Sequence, residues 1–464
     1  MVFKVKYLLT FYEATKPPFR RRFGQPLTPV YLWGFATSRE DVEEERKIVE
    51  RELTKLREVS EFDLEFSGGY IISTEDEVFE IADELQDSDA IMVFGTCDFA
   101  NILEAVCALN KPTIIFIKLY LGEHLYAQAE VVNPRFLRGE TDTIFVKDRD
   151  IFVVFDNYGR VLRILRALNA LKRARETVCL CLGVPYGWQM RYREVRAAQK
   201  KLGFKVRYAS YSRFKKILEE IRDDKEAFRE AKELADAIIN KASKIVEPSK
   251  EDLLNAAIAY LALKRLLREK KANAITISDC FITFPGIAGT PPCLPLSLLN
   301  DEGIVAGCEG DFSAFAAQLL LCYVSNRPVM FLDPIVHPEV NKVILAHCTS
   351  PLRLEGYEGG ERPLILRNQD ALRSGVGVQA LHKEGEEITM IDPGFELETM
   401  VIMKGRITRN TDYPICRNQF EVEISDGRKL WNNLVGFHWV AAYGDYVEEM
   451  IEVCRLLGIR CVVV

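Results

Sequence analysis

Through the first 170 residues, short apolar runs alternate with amphipathic stretches. FKVKYLLT reads as a strand and REDVEEERKIVERELTKLREV as a long helix with one apolar stripe. DAIMVFGT, PTIIFIKLY and DIFVVFD then read as strands, separated by the helix ANILEAVCAL and followed by the helix VLRILRALNALKRA. Near-continuous apolar strands separated by helices predict a parallel sheet covered on both faces. A second unit of the same kind begins near Thr177, with the strand TVCLCLG, a helix through REVRAAQKKLG stopped by Gly203, and the strand FKVRYAS. From Arg213 to Lys271 the pattern is helical and highly charged, interrupted at Pro248; the run KRLLREKK reads as a solvated helix face.

Beyond residue 374 the period changes. GVGVQALHKEGEEITMIDPG, ELETMVIMKGRITRN and FEVEISDGRKL are short alternating strands punctuated by glycine, the pattern of a small antiparallel sheet or barrel. A helix, DYVEEMIEVCRLLG, and a strand, IRCVVV, close the chain. The fold expected is therefore α/β: two Rossmann-like parallel-sheet lobes, residues 1–172 and 173–373, followed by a C-terminal barrel-like domain with its closing helix, residues 374–464.

Composition narrows the function more than the fold. A chain of 464 residues, 48% hydrophobic and 28% charged, has ample material for several cores. The net charge of −7 argues against general nucleic-acid or anionic-membrane binding. No apolar run approaches the ~18 residues of a membrane span. Glu13 cuts short the apolar run at the start, which reads as a first strand rather than a secretion signal, and a cytoplasmic location is expected. The twelve cysteines include no C-x-x-C pair, and Cys179 and Cys181 read as reduced, buried thiols on one face of a strand.

The chemistry gathers between Lys271 and Cys348. ANAITISD reads as a strand ending at Asp279, GIVAGC as a strand ending at Glu309, PVMFL as a strand ending at Asp333, and KVILA as a strand ending at His347. Asp311 stands where it can cap the helix FSAFAAQLLLCYV. If these strands are parallel, Glu309, Asp333 and His347 gather on the sheet edge where such folds bind ligands. Two carboxylates and an imidazole there suit Mn²⁺ or Mg²⁺. The bland readings are a residue ahead of a helix for Glu309, a turn before Pro334 for Asp333, and a hydrogen-bonded core histidine for His347. Phosphate-loop, dinucleotide, H-E-x-x-H and nucleophile-elbow motifs are absent. Histidine chemistry is confined to His124, His337, His347, His382 and His438.

The stretch GCEGDFSAFAAQLLLCYVSNRPVMFLDP with NKVILAHC, the preceding PPCLPLSLLNDEGI, and the ending NNLVGFHWVAAYGDYVEEMIEVCRLLGI resemble the L-fucose isomerase family in its compact archaeal-type form. The resemblance implies a divalent-metal-dependent aldose–ketose isomerase of a deoxyhexose or pentose, such as L-fucose or D-arabinose, working through an ene-diol. It also implies Mn²⁺, or another divalent cation such as Mg²⁺ or Co²⁺, held by Glu309, Asp333 and His438. Glu309 and Asp333 would be the catalytic pair, with His347 a neighbour of the site. The partners it implies are a sugar and further copies of the chain, as a trimer or hexamer. Phe437 departs from the polar residue of well-known fucose isomerases and leaves the sugar open. Two other readings stay in play: a non-catalytic sugar-binding or regulatory protein of the same fold, and a metal-dependent isomerase or epimerase of another, acidic sugar, for which the Arg20–Arg22 cluster could serve.

Overall fold

A computed structural model describes residues 2–11, 39–95, 100–118, 149–185 and 191–464. His124 and the Arg20–Arg22 cluster lie outside the described residues. The chain forms two compact units, residues 1–165 and 166–464.

In the first unit, β1 (Phe3–Thr10), β2 (Leu64–Ile72), β3 (Ala90–Gly95), β4 (Thr113–Ile117) and β5 (Ile151–Phe155) form one sheet in the order β2-β1-β3-β4-β5. Every pairing in it is parallel. β4 is buried along its whole length, as expected of a parallel strand covered on both faces. The helix Arg39–Glu58 buries Val42, Val49, Leu53 and Leu56 at helical spacing. It also buries Glu45, which pairs with Lys118, the residue after β4; Lys118 Nζ lies 2.9 Å from Glu52 as well.

The second unit opens on a parallel sheet, β10-β9-β6-β7, made of β6 (Val178–Leu182), β7 (Lys205–Ala209), β9 (Ala274–Ile277) and β10 (Val305–Gly307). Gly203 ends the helix Tyr192–Leu202 in the left-handed conformation (φ 81°), the stop its position predicts. The charged stretch resolves into three helices, Tyr211–Asp223, Lys225–Lys241 and Lys250–Glu269. Within KRLLREKK, Lys264 pairs with Glu302, in keeping with a solvated helix face. Cys179 and Cys181 are buried side by side on β6, and none of the described cysteines forms a disulfide.

A closed six-stranded antiparallel barrel follows. Its strands are β11 (Met330–His337), β12 (Lys342–His347), β15 (Glu387–Pro393), β16 (Thr399–Asn410), β17 (Asn418–Ile424) and β18 (Trp439–Tyr443). They run β15-β18-β11-β12-β17-β16, and β15–β16 pairing closes the ring. The strand β19 (Arg460–Val463) adds parallel to β16. Met330, Leu332, Val343, Leu345, Phe420, Val422, Trp439 and Ala441 fill the interior. The alternate residues Phe331, Val440 and Ala442 belong instead to the core shared with the helix Phe312–Ser325. That helix is buried on every side, in keeping with a sequence apolar except for Ser313, Gln318 and Ser325.

Three expectations are corrected here. The barrel starts at β11, within the stretch expected to extend the parallel sheet, and β13 (Leu364–Gln369) and β14 (Ser374–Ala380) form a hairpin outside it, beside the short β8 (Lys244–Ile245). β11 and β12 are antiparallel, so Asp333 and His347 do not share a parallel edge with Glu309. β11 also runs on past Asp333 through Pro334, where a strand end was expected. Along β11, β18 pairs with Met330–Leu332 alone, so beyond Leu332 that side of β11 is an open edge that accommodates a residue without an N–H. Among the described residues no helix is long and apolar enough to cross a membrane.

Candidate metal centre

Glu309 lies two residues beyond β10, and the strand leading to it is clamped. β10 is the edge of its sheet, and the Asn300 side chain takes the place of a further strand: Nδ2 donates to Ala306 O (2.8 Å) and Oδ1 accepts from Ala306 N (3.1 Å). Glu309 itself is in the left-handed region (φ 59°), a conformation that costs a non-glycine residue free energy and is concentrated at functional sites. Its carboxylate is buried.

The other members come from the barrel wall. Register between β11 and β18 pairs Phe331 with Val440 and Leu332 with Trp439, so the next position along sets Asp333 opposite His438. Both carry the parity of Phe331 and Val440, the outward-facing residues packed toward the α/β layer. Asp333 in turn pairs with Ala346 on β12, the neighbour of His347. Antiparallel registry therefore gathers these three, and the β10 turn brings Glu309 to meet them. His438 Nε2 lies 3.4 Å from Glu309 Oε2 and 3.5 Å from Asp333 Oδ1. One donor atom each of Glu309, His347 and His438 falls within a 4.8 Å cluster of buried groups that could hold a metal ion. Asp333, the most open member with 37% of its side chain exposed, completes the wall.

Orientation is fixed from behind. Asp311 caps the helix Phe312–Ser325, its Oδ1 accepting from the Ser313 and Ala314 N–H groups at 3.0 Å each. Its other oxygen lies 2.8 Å from His438 Nδ1. A carboxylate behind one ring nitrogen sets the tautomer that turns the other outward, as in carboxylate–histidine–metal arrangements. The segment before His438 is pinned by buried Asp392, which accepts from the N–H groups of Val435 (2.9 Å) and Gly436 (2.7 Å). A Cβ at Gly436 would lie 2.1 Å from Pro393 O and 2.6 Å from Asp392 Oδ1, so only glycine fits there. Phe331 packs against both imidazoles, with ring centroids 4.7 Å from His438 and 5.6 Å from His347.

Electrostatics distinguish the two rings. Burial lowers the pKa of His347, keeping it a neutral donor. Burial also pulls His438 down, but the Asp311 and Glu309 carboxylates outweigh it and hold the ring well above the usual histidine range. Burial raises Asp333, opposed by the two nearby imidazoles. His347 Nδ1 and His438 Nε2 are both buried and lack a hydrogen-bond partner. Buried polar nitrogens left unmade cost about 1–3 kcal/mol each unless a ligand completes them, so this donor set fits a divalent cation. The remaining described histidines do not join it. His337 is exposed at the end of β11. His382 is buried with both nitrogens partnered, Nδ1 with Tyr443 Oη at 2.8 Å and Nε2 with Asn418 Oδ1 at 3.1 Å.

Asp311 was legible in the sequence only as a helix cap; its second oxygen serves a residue 127 positions away. The thiols of Cys280 and Cys308, which lie against Glu309, carried no spacing signal at all.

No protein-family model matches the chain. It is similar to proteins named sulfoquinovose isomerase. That of Priestia aryabhattai is 24% identical over 210 residues, 43% of this chain and 45% of the relative. That of Alkalicoccus urumqiensis is 25% identical over 213 residues, covering 43% and 46%. That of Clostridium sp. (strain MSTE9) is 24% identical over 204 residues, covering 41% and 44%. The similarity thus spans less than half the length of the relatives it matches.

Proposed function

We propose that the protein is a divalent-metal-dependent aldose–ketose isomerase whose centre is Glu309, Asp333 and His438, with His347 completing the donor set. The observation carrying this reading is the convergence of two carboxylates and two buried imidazoles, with His438 Nε2 3.4 Å from Glu309 Oε2 and 3.5 Å from Asp333 Oδ1. The resemblance to L-fucose isomerases and the similarity to sulfoquinovose isomerases support the same reaction class. They differ on the sugar: a deoxyhexose or pentose on the first view, a sulfonated sugar on the second.

The reaction moves a proton between C1 and C2 of an open-chain sugar. A bound Mn²⁺ or comparable cation supplies Lewis-acid stabilisation of negative charge developing on the sugar oxygens. The chain supplies the proton transfers. One of Glu309 and Asp333 takes the proton from C2 of the aldose while O1 gains one, giving the ene-diol. A proton is then returned to C1 as O2 loses its own, and the two carboxylates exchange roles in the reverse direction. Asp311 holds the His438 ring through Nδ1, and Phe331 and the barrel wall exclude water from the inner side.

The test is a substrate panel. Metal-stripped protein is reloaded with Mn²⁺ and offered L-fucose, D-arabinose and sulfoquinovose, with Glu309→Gln as control. Ketose should form from at least one sugar and vanish in the variant. Metal-loaded protein that turns over none of a broad aldose panel would sink the reading.

A further inference from the structure

Glu309 has two oxygens, and they face different chemistry. Oε2 looks toward His438. Oε1 looks the other way, toward Cys280, whose Sγ lies 3.8 Å from it. Cys308 Sγ is close by, and one donor atom from each of Cys280, Cys308 and Glu309 falls within 4.8 Å of the others. All three residues are buried, with 7%, 2% and 7% of their surface exposed.

The fold explains why they meet. β9 and β10 are neighbouring parallel strands, paired from Val305–Ala274 through Gly307–Thr276. Their C-terminal ends therefore lie side by side, where open α/β sheets bind ligands. Cys280 and Cys308 lie just beyond those two ends. Cys308 and Glu309 are consecutive, and the left-handed backbone at Glu309 accompanies the convergence of two adjacent side chains on one point.

We propose that Cys280, Cys308 and Glu309 form a second metal site, for a thiophilic cation of the Zn²⁺ class, sharing the Glu309 carboxylate with the oxygen–nitrogen centre. Two thiolates and one carboxylate, with a fourth position for water, match the ligands such a cation takes. The neighbouring set of carboxylates and imidazoles suits Mn²⁺ or Mg²⁺ instead, so the two halves differ in softness. A carboxylate shared between adjacent cations is a familiar element of two-metal sites. This inference requires only the three side chains and holds whichever sugar, if any, the protein converts.

Co²⁺ is the probe. Added to metal-stripped wild-type protein, it should give the intense near-ultraviolet charge-transfer absorption of a thiolate–Co²⁺ bond, which oxygen and nitrogen ligands do not produce. Zn²⁺ should abolish the band by displacement. Cys280→Ser/Cys308→Ser should lose it, with retained Mn²⁺ binding showing that the variant is folded. Wild-type protein saturated with Co²⁺ but lacking the band overturns the proposal whatever the variant does. So does a band of undiminished intensity in the double variant, which would assign the thiolates to other cysteines. Mn²⁺-dependent turnover of a sugar by protein that shows no band would remove the thiol site and leave the isomerase reading standing.

Discussion

The two units each bury charge beside a strand end, with opposite outcomes. In the first, Lys118 after β4 is 3% exposed and meets Glu45, 1% exposed, and Glu52, which in turn accepts from Tyr158 Oη at 2.5 Å. In the second, Glu309 beyond β10 meets two buried imidazoles, and one ring nitrogen of each, His347 Nδ1 and His438 Nε2, makes no hydrogen bond. The first cluster pairs opposite charges with one another, and the second gathers possible metal donors around one point. His382 gives the same lesson within the barrel, since it is as buried as His347 but has both nitrogens satisfied. Burial of a polar group is therefore no sign of function by itself; convergence of incomplete groups is.

The comparison can be broken most sharply at Glu309. Glu309→Gln keeps the volume but removes the carboxylate proposed as ligand and proton-transfer group, and sugar turnover should fall by about 10²–10⁴-fold, measured as ketose formed. Lys118→Met should do the reverse. It leaves buried Glu45 without its counter-charge and should destabilise the fold by roughly 3–5 kcal/mol in chemical denaturation, while Mn²⁺ affinity stays unchanged. Asp311→Asn should weaken Mn²⁺ binding by about 10–100-fold, because His438 loses the carboxylate that orients it. Loss of stability with unaltered metal affinity in that variant would reduce Asp311 to a helix cap.

The smallest effect is a pH dependence at His382. Burial lowers its pKa from the ordinary 6.5 to about 4 in the fold. The folded state thus holds the ring neutral, and this contribution to stability is complete above pH 6.5 and is lost as the pH falls toward 4. His382→Gln should flatten that part of the unfolding midpoint's decline between pH 7 and pH 5; an identical slope in the two proteins contradicts the assignment.

What could be read from the sequence follows the range of the interactions. The Asp311 cap, the Gly203 stop and the strands β15, β16 and β17 are local, and the structure has them where the pattern placed them, although β15 and β17 are buried almost throughout instead of alternating. Glu309 was visible as a carboxylate beyond an apolar strand. The partnership of Asp333 with His438 was not, because it depends on cross-strand register between distant segments. Pro334 disguised β11 as a strand that ends, when it continues along an open edge. The grouping of Asp333 and His347 was therefore anticipated for the wrong reason, parallel strand ends in place of antiparallel neighbours. His438 entered through family resemblance alone, and the second task of Asp311 could be seen only in three dimensions.

The most direct test of the central claim is equilibrium Mn²⁺ binding to metal-stripped protein, followed by electron paramagnetic resonance in wild type, Asp311→Asn and Lys118→Met. The account predicts a tight Mn²⁺ site in wild type, the same affinity in Lys118→Met, and about 10–100-fold weaker binding in Asp311→Asn. Absence of a tight site in wild type, or equal affinity in all three proteins, would contradict it.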